Sequence, residues 1–137
     1  MRGFRLVFLL LGVIGVLFAV AGTGVGGDTT GADLSAKYGD GPHVAYAFNN
    51  DYTAYGLGRG ASKEEAAQRA KDNCTGTGCG NGESGVYMPG CFAIFRLPDG
   101  KYQVISEMSK LSEEDALKIG KSKFGEDCKL EIVLCSN

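Results

Sequence analysis

Residues His43 to Asn137 can be laid over themselves, and a duplication of this size confines the chain to folds built from two like halves. The first half, about 43–90, reads HVAYAF, a turn at Asn49-Asn50-Asp51, YTAYGLGRG, SKEEAAQRAKDNC and SGVYM. The second, about 91–137, reads CFAIFRL, a turn at Pro98-Asp99-Gly100, KYQVISE, SEEDALKIGKSKF and CKLEIVLC. Each half is strand, tight turn, strand, helix, strand.

The helix starts give the firmest register. Ser62-Lys-Glu-Glu65 is a capping box, and Ser112-Glu-Glu-Asp115 occupies the same place with a shorter acid. Ala66, Ala67, Ala70 and Cys74 then share a helical face, matched at an offset of 50 by Ala116, Leu117, Gly120 and Phe124. The hairpins align at an offset of 48. On that alignment Ala54, Gly56 and Gly58 pair with Tyr102, Val104 and Ser106, and Tyr55, Leu57 and Arg59 pair with Gln103, Ile105 and Glu107. Strand side chains alternate faces, so the first set can meet the helices while the second points away. An Ala-rich helix sits close on Gly56 and Gly58, and the larger Tyr102 and Val104 face the other half. The expected architecture is α+β, with duplicated ββαβ units forming one six-stranded, largely antiparallel sheet carrying two helices in pseudo-twofold symmetry.

The N-terminus adds a different kind of segment. Arg2 and Arg5 precede an uncharged apolar run from Leu6 to Ala21, which closes on Ala19-Val20-Ala21. Two cations, an apolar stretch and a small-x-small exit make residues 1–21 a secretory signal peptide with cleavage expected after Ala21. The run is short for a permanent span. Left uncleaved, it would tie the protein to the membrane with the rest of the chain still outside. Either way the domain is secreted, periplasmic or held in the cell envelope. Residues 22–42 hold seven glycines between Gly22 and Gly41 with few large apolar side chains, which predicts a flexible tether.

A folded unit of about 95 residues buries a marginal share of its surface, and an exported chain has disulfides available to compensate. The five cysteines are Cys74, Cys79, Cys91, Cys128 and Cys135. The duplication suggests a local bridge Cys74–Cys79 and a long one Cys91–Cys135, with Cys128 unpaired because its counterpart to Cys74 has become Phe124. Loops of these sizes would contribute about 2 and about 4 kcal/mol in the chain-entropy model. Other pairings stay open, because spacing does not fix connectivity.

Composition removes several function classes. A net charge of −2, or −4 once Arg2 and Arg5 are cleaved away, is not a nucleic-acid footprint. Cys74-x4-Cys79 is at the edge of metal-ligand spacing and Cys128-x6-Cys135 exceeds it, so no metal is expected. Gly56-Leu-Gly58-Arg-Gly60-Ala61 imitates a dinucleotide fingerprint but follows a hairpin strand, which favours close helix–sheet packing over a cofactor. His43, the single histidine, has no evident nucleophile or metal partner, and no catalytic residue is assigned. Glu64-Glu65 and Glu113-Glu114-Asp115 sit in first helical turns, where the macrodipole favours acids. Lys118, Lys121, Lys123 and Lys129 read as a solvated surface. Asn73-Cys74-Thr75 has the form of a glycosylation acceptor, relevant only to a eukaryotic secretory route.

The remaining feature is the sheet face turned away from the helices. Tyr55, Leu57, Arg59 and Ile105 lie there, and with both helices on one side no further element covers them. If exposed, this aromatic and aliphatic surface with Arg has the make-up of a protein interface; if the half-sheets fold onto each other, it is core.

The layout resembles the small secreted bacterial family called domain of unknown function 4189. Its marks appear here as His43-Val-Ala-Tyr-Ala47, Tyr55-Gly-Leu-Gly58, Ser62-Lys-Glu-Glu-Ala-Ala67 running to Cys74, and Cys91-Phe-Ala-Ile94. The resemblance spans Val44 to Cys135 and implies export from a bacterium and a duplicated ββαβ fold, with no catalytic residues to transfer. Phe124 in place of Cys, and the absence of Trp, depart from the pattern. The expected function is a secreted, disulfide-stabilised, non-enzymatic protein-interaction module acting on an extracytoplasmic or host protein, as effector or inhibitor. The alternatives are a small exported enzyme or toxin, and an envelope component held by its N-terminal segment.

Overall fold

The computed structural model describes residues 31–137. The expected signal peptide, residues 1–21, and the expected tether as far as residue 30 lie outside them. The order of elements is α1 (Gly31–Tyr38), β1 (His43–Phe48), β2 (Tyr55–Gly60), α2 (Lys63–Asn73), β3 (Ser84–Tyr87), β4 (Cys91–Arg96), β5 (Tyr102–Glu107), α3 (Glu113–Phe124) and β6 (Lys129–Cys135). The fold is α+β and the ββαβ unit occurs twice. Among the described residues no helix is long and apolar enough to cross a membrane.

The strands do not join in one six-stranded sheet. They form two three-stranded antiparallel sheets, ordered β2-β1-β3 and β5-β4-β6. Val44 and Phe48 of β1 and Leu57 of β2 pack against Phe92 and Ile94 of β4 and Leu134 of β6 in one buried cluster. The opposite face of β1, Ala45 and Ala47, packs on Ala66 and Ala70 of α2. The opposite face of β4 packs Ala93 and Phe95 on Ala116 of α3. The layers therefore run helix, sheet, sheet, helix. Three-stranded half-sheets with an apolar inner face bury more surface by stacking than by extending edge to edge.

The hairpin register explains how the second half is arranged. His43 pairs with Gly60 and Cys91 with Glu107, so β1 matches β4 at an offset of 48 while β2 matches β5 at 47. The β4–β5 connection is one residue shorter than its twin, and a slip of one residue turns every strand side chain to the other face. The true equivalents are Tyr55 with Tyr102, Leu57 with Val104, Arg59 with Ser106, and Gly58 with Ile105. Tyr102 and Val104 accordingly pack in the cluster between the sheets, and Ile105 faces α3 rather than away from it.

The two helix layers reach the same fit by opposite means. In the first half the strand gives way: a Cβ on Gly58 would stand 2.6 Å from the Ala66 carbonyl oxygen and the Ala70 nitrogen, so only glycine lets α2 lie this close. In the second half the helix gives way, with Gly120 of α3 receiving the ring of Phe95. Both helices begin as their sequences indicate. The Ser62 hydroxyl accepts from the Glu65 N–H and the Ser112 hydroxyl from the Asp115 N–H, each at 3.1 Å. The Glu65 carboxylate reaches back to the Ala61 N–H at 3.1 Å.

The expected tether does not extend to residue 42. Gly31–Tyr38 is helical, Leu34 packs on the inter-sheet cluster, and Tyr38 is buried in it. Leu34 and Tyr38 stand four apart on one helical face, enough to hold a short helix once a preformed apolar surface receives it.

Candidate functional site

Of the four residues expected on an open sheet face, three are interior. Leu57 is fully buried between the sheets, Ile105 is buried against α3, and Arg59 is 5% exposed. The half-sheets close on each other, so this face is core and not an interaction surface. Tyr55 alone is half-buried; it meets Tyr102 edge-on with ring centroids 4.8 Å apart.

Arg59 has a structural task. Its Nε donates to the Gly39 carbonyl at 2.7 Å and Nη1 to the Cys135 carbonyl at 3.0 Å, and its Nη2 lies 3.7 Å from the Asp40 carboxylate. It thus fastens the chain leaving α1 to the end of β6. Burial pulls the guanidinium pKa down and Asp40 opposes that shift.

The sulfur positions are these. Cys74 is bridged to Cys79 at the end of α2, and Cys91 to Cys135 across neighbouring strands that are already in register. Cys128 is free and buried, packed in the cluster beneath α3 with Phe95 and Phe124 nearby. The other candidates fall into structural places. Gly56, Gly58 and Gly60 press on α2, the close helix–sheet packing that their pattern suggests. His43 opens β1 opposite Gly60, with its Nδ1 buried and unbonded. Lys118 and Lys121 pair with Glu114 and Glu126 at 3.5 and 3.9 Å. Among the described residues no group of three or more His, Cys, Asp or Glu side chains is gathered to hold a metal ion.

Two surfaces stand out among the described residues. The first is a cleft of about 390 Å³ between α1 and β6, with Leu34, Tyr38, Tyr55 and Ile132 on its walls and Asp33, Lys37, Glu113 and Glu131 around it. Burial, with the Glu131 charge adding to it, pushes the Tyr55 hydroxyl well above the ordinary phenol pKa, so it is a neutral hydrogen-bonding group there. The cleft brings together carboxylates, a lysine and a phenol.

The second surface is apolar and lies where the two repeats join. Among the described residues the large apolar side chains left exposed are Tyr87 at 37%, Met88 at 56% and Met108 at 68%. The segments that carry them run side by side: Ser106 Oγ donates to the Tyr87 hydroxyl at 3.3 Å, and Gly90 abuts the Glu107 carbonyl. Tyr87 stacks on the buried Phe92 ring at 5.1 Å, and Tyr46 meets the same ring edge-on at 4.8 Å. Desolvation, followed by the neighbouring Glu83, raises the Tyr46 pKa to about 12. Sequence reasoning read Tyr87 and Met88 only as the end of a strand. The available signal was the Tyr-Met pair placed just before the second repeat, beyond the strand's alternation.

A family model described as Domain of unknown function (DUF4189) matches residues 43–135. No curated protein and no solved structure matches the chain significantly.

Proposed function

The chain belongs to the family Domain of unknown function (DUF4189), and from that premise we propose that it is a secreted, non-enzymatic protein-interaction module, a host-directed effector or an inhibitor of another extracytoplasmic protein. The observation that carries this reading is that Tyr87, Met88 and Met108, the large apolar side chains left exposed among the described residues, sit on adjoining segments. Aromatic residues and Met are enriched in interface cores, and exposed apolar side chains on a small domain have a cost in water that binding removes. Two disulfides fit a scaffold stabilised for an oxidising compartment, and the signal-like residues 1–21 supply the route to it.

Pull-down from extracellular and envelope fractions tests the reading, with Met88→Asp and Met108→Asp variants beside the wild type. A species retained by the wild type and released by both variants is the expected result. Equal retention by all three removes this surface from the function.

The cleft beside α1 supports the second reading, a small exported enzyme or toxin, because it brings Asp33, Glu113, Glu131 and Tyr55 around one space. Substrate turnover lost in Glu131→Gln, with no partner recovered, would place that reading first. An envelope component held by an uncleaved N-terminal segment is separated from both by N-terminal sequencing of culture-supernatant protein, which would begin at Gly22 if the signal is removed.

A further inference from the structure

The sulfur atoms of the described residues fall into two groups. Cys74, Cys79, Cys91 and Cys135 are committed to bridges, and Cys128 is a buried thiol. The methionines are the opposite case. Met88 is 56% and Met108 68% exposed among the described residues, and the clusters between and beneath the sheets contain neither. Each is the first residue past a strand, Met88 after β3 and Met108 after β5. Those strand ends adjoin, with Ser106 Oγ donating to the Tyr87 hydroxyl and Gly90 against the Glu107 carbonyl. The chain's other methionine, Met1, falls in the expected signal peptide. The thioethers of the folded unit are thus held on its surface, at the join of the repeats, while its cysteine sulfur is bridged or shielded.

Resting on the reading of Tyr87, Met88 and Met108 as an interaction surface, we propose that Met88 and Met108 are a paired oxidation site through which a peroxide turns that surface off. The step at each thioether is a two-electron oxidation. The sulfur attacks one oxygen of hydrogen peroxide, the O–O bond breaks, an S–O bond forms and water leaves; the sulfur is oxidised and the peroxide reduced. The product replaces a flexible apolar side chain with a polar, hydrogen-bond-accepting sulfoxide, which is costly to bury against an apolar partner. Because neither thioether belongs to the core, the change alters the surface and leaves the packing of the sheets as it was. Return to the thioether takes a reductase and a pair of thiols, which leave as a disulfide together with water.

The test treats the whole protein as it is exported, with whatever precedes Gly31, with hydrogen peroxide and maps the added oxygen by peptide mass. The urea-unfolded protein and a variant carrying both Met88→Leu and Met108→Leu, which keeps the apolar bulk without the sulfur, run beside it. Each methionine is expected to gain one oxygen in the folded protein at a rate within about threefold of the unfolded chain, because access governs the reaction. Cys128 should stay a thiol and the urea midpoint should not move. The oxidised protein should leave a hydrophobic-interaction column earlier than the untreated one. Methionine sulfoxide reductase should reverse that shift, and the double-leucine variant should not show it. Protection of either methionine by about tenfold or more in the folded protein, by the segment before Gly31 or by anything else, would overturn the proposal. So would unfolding on oxidation, or an unchanged elution. If Met88→Asp and Met108→Asp release the partner recovered from extracellular fractions while the oxidised protein retains it, the oxidation switch fails and the interaction surface stands. If those variants keep their partner, the surface reading fails and takes the switch with it.

Discussion

Gly41 and Asn137, separated by nearly the whole domain, hold each other reciprocally: the Gly41 N–H donates to Asn137 Oδ1 at 2.9 Å, and the Asn137 N–H donates to the Gly41 carbonyl at 3.0 Å. In the repeat alignment these two positions correspond to Pro89 and Gly90, which are joined by a peptide bond. The hydrogen-bonded pair closes one side of the domain as the covalent linker closes the other.

Asn137→Ala should therefore lower unfolding free energy by about 1 kcal/mol in urea titration, with faster amide exchange at Gly41 and in α1. Asn137 Nδ2 also donates to Asp40 at 2.9 Å and Ser35 Oγ donates to the same carboxylate at 2.6 Å.

These bonds, Ser35 first and then Asn137, hold the Asp40 pKa below the ordinary carboxylate value of 3.8. A lowered folded-state pKa contributes stability that is present above 3.8 and is lost as pH falls through the lower folded value. Acid should loosen α1 before the sheets, and Asp40→Asn should flatten that part of the pH dependence. Exchange in α1 followed from pH 5 downward checks it; parallel curves for wild type and variant would refute it.

Arg59→Met should destabilise by about 2–3 kcal/mol, because it leaves the Gly39 and Cys135 carbonyls without their charged donor while keeping an apolar stem of similar length. Arg59→Lys should recover little, since a single ammonium cannot span both carbonyls. Thermal denaturation of the three proteins is the measurement.

Removing Cys91 and Cys135 together as alanines should cost about 4 kcal/mol, against about 2 kcal/mol for removing Cys74 and Cys79, on loop length alone. Cys128 should resist thiol reagents in the folded protein and react once it is unfolded, because burial sets its access.

Gly58→Ala should cost about 1–3 kcal/mol and loosen α2, since the added methyl meets helix backbone that cannot turn aside. Gly100→Ala, in open space in the β4–β5 turn, meets no such obstacle and carries only the strain of its positive φ of 85°. The two variants, compared by denaturation and by exchange in α2, separate contact from conformation.

Much of the fold was legible in the chain because caps and helix faces are local. Ser62 and Ser112 mark helix starts, and Ala66, Ala70, Ala116 and Gly120 mark buried faces, whatever the rest of the molecule does. The face of β5 was not legible in the same way. Deleting one residue from a turn leaves the composition of Tyr102 to Glu107 untouched and reverses which side of it is core. α1 was hidden for another reason: Leu34 and Tyr38 are a single apolar pair among glycines, and the surface that stabilises them is supplied by β2 and β6, far along the chain. Ile105 was misplaced by the register alone, whereas Leu57 and Arg59 were misplaced as interaction residues for a third reason, because whether a strand face is open or covered depends on how two sheets stack. No window of sequence contains that information.

Tyr55 and Tyr102 are the same residue of the repeat and they touch each other. A contact that lies on a symmetry axis couples the copies: a change in either ring alters the surroundings of its own counterpart. Where the halves meet, a substitution in one copy must be accommodated by the other, as the touching pair of tyrosines illustrates. Away from the axis each copy answers only to its own helix, and there the two have gone separate ways, one thinning its strand to glycine and the other thinning its helix.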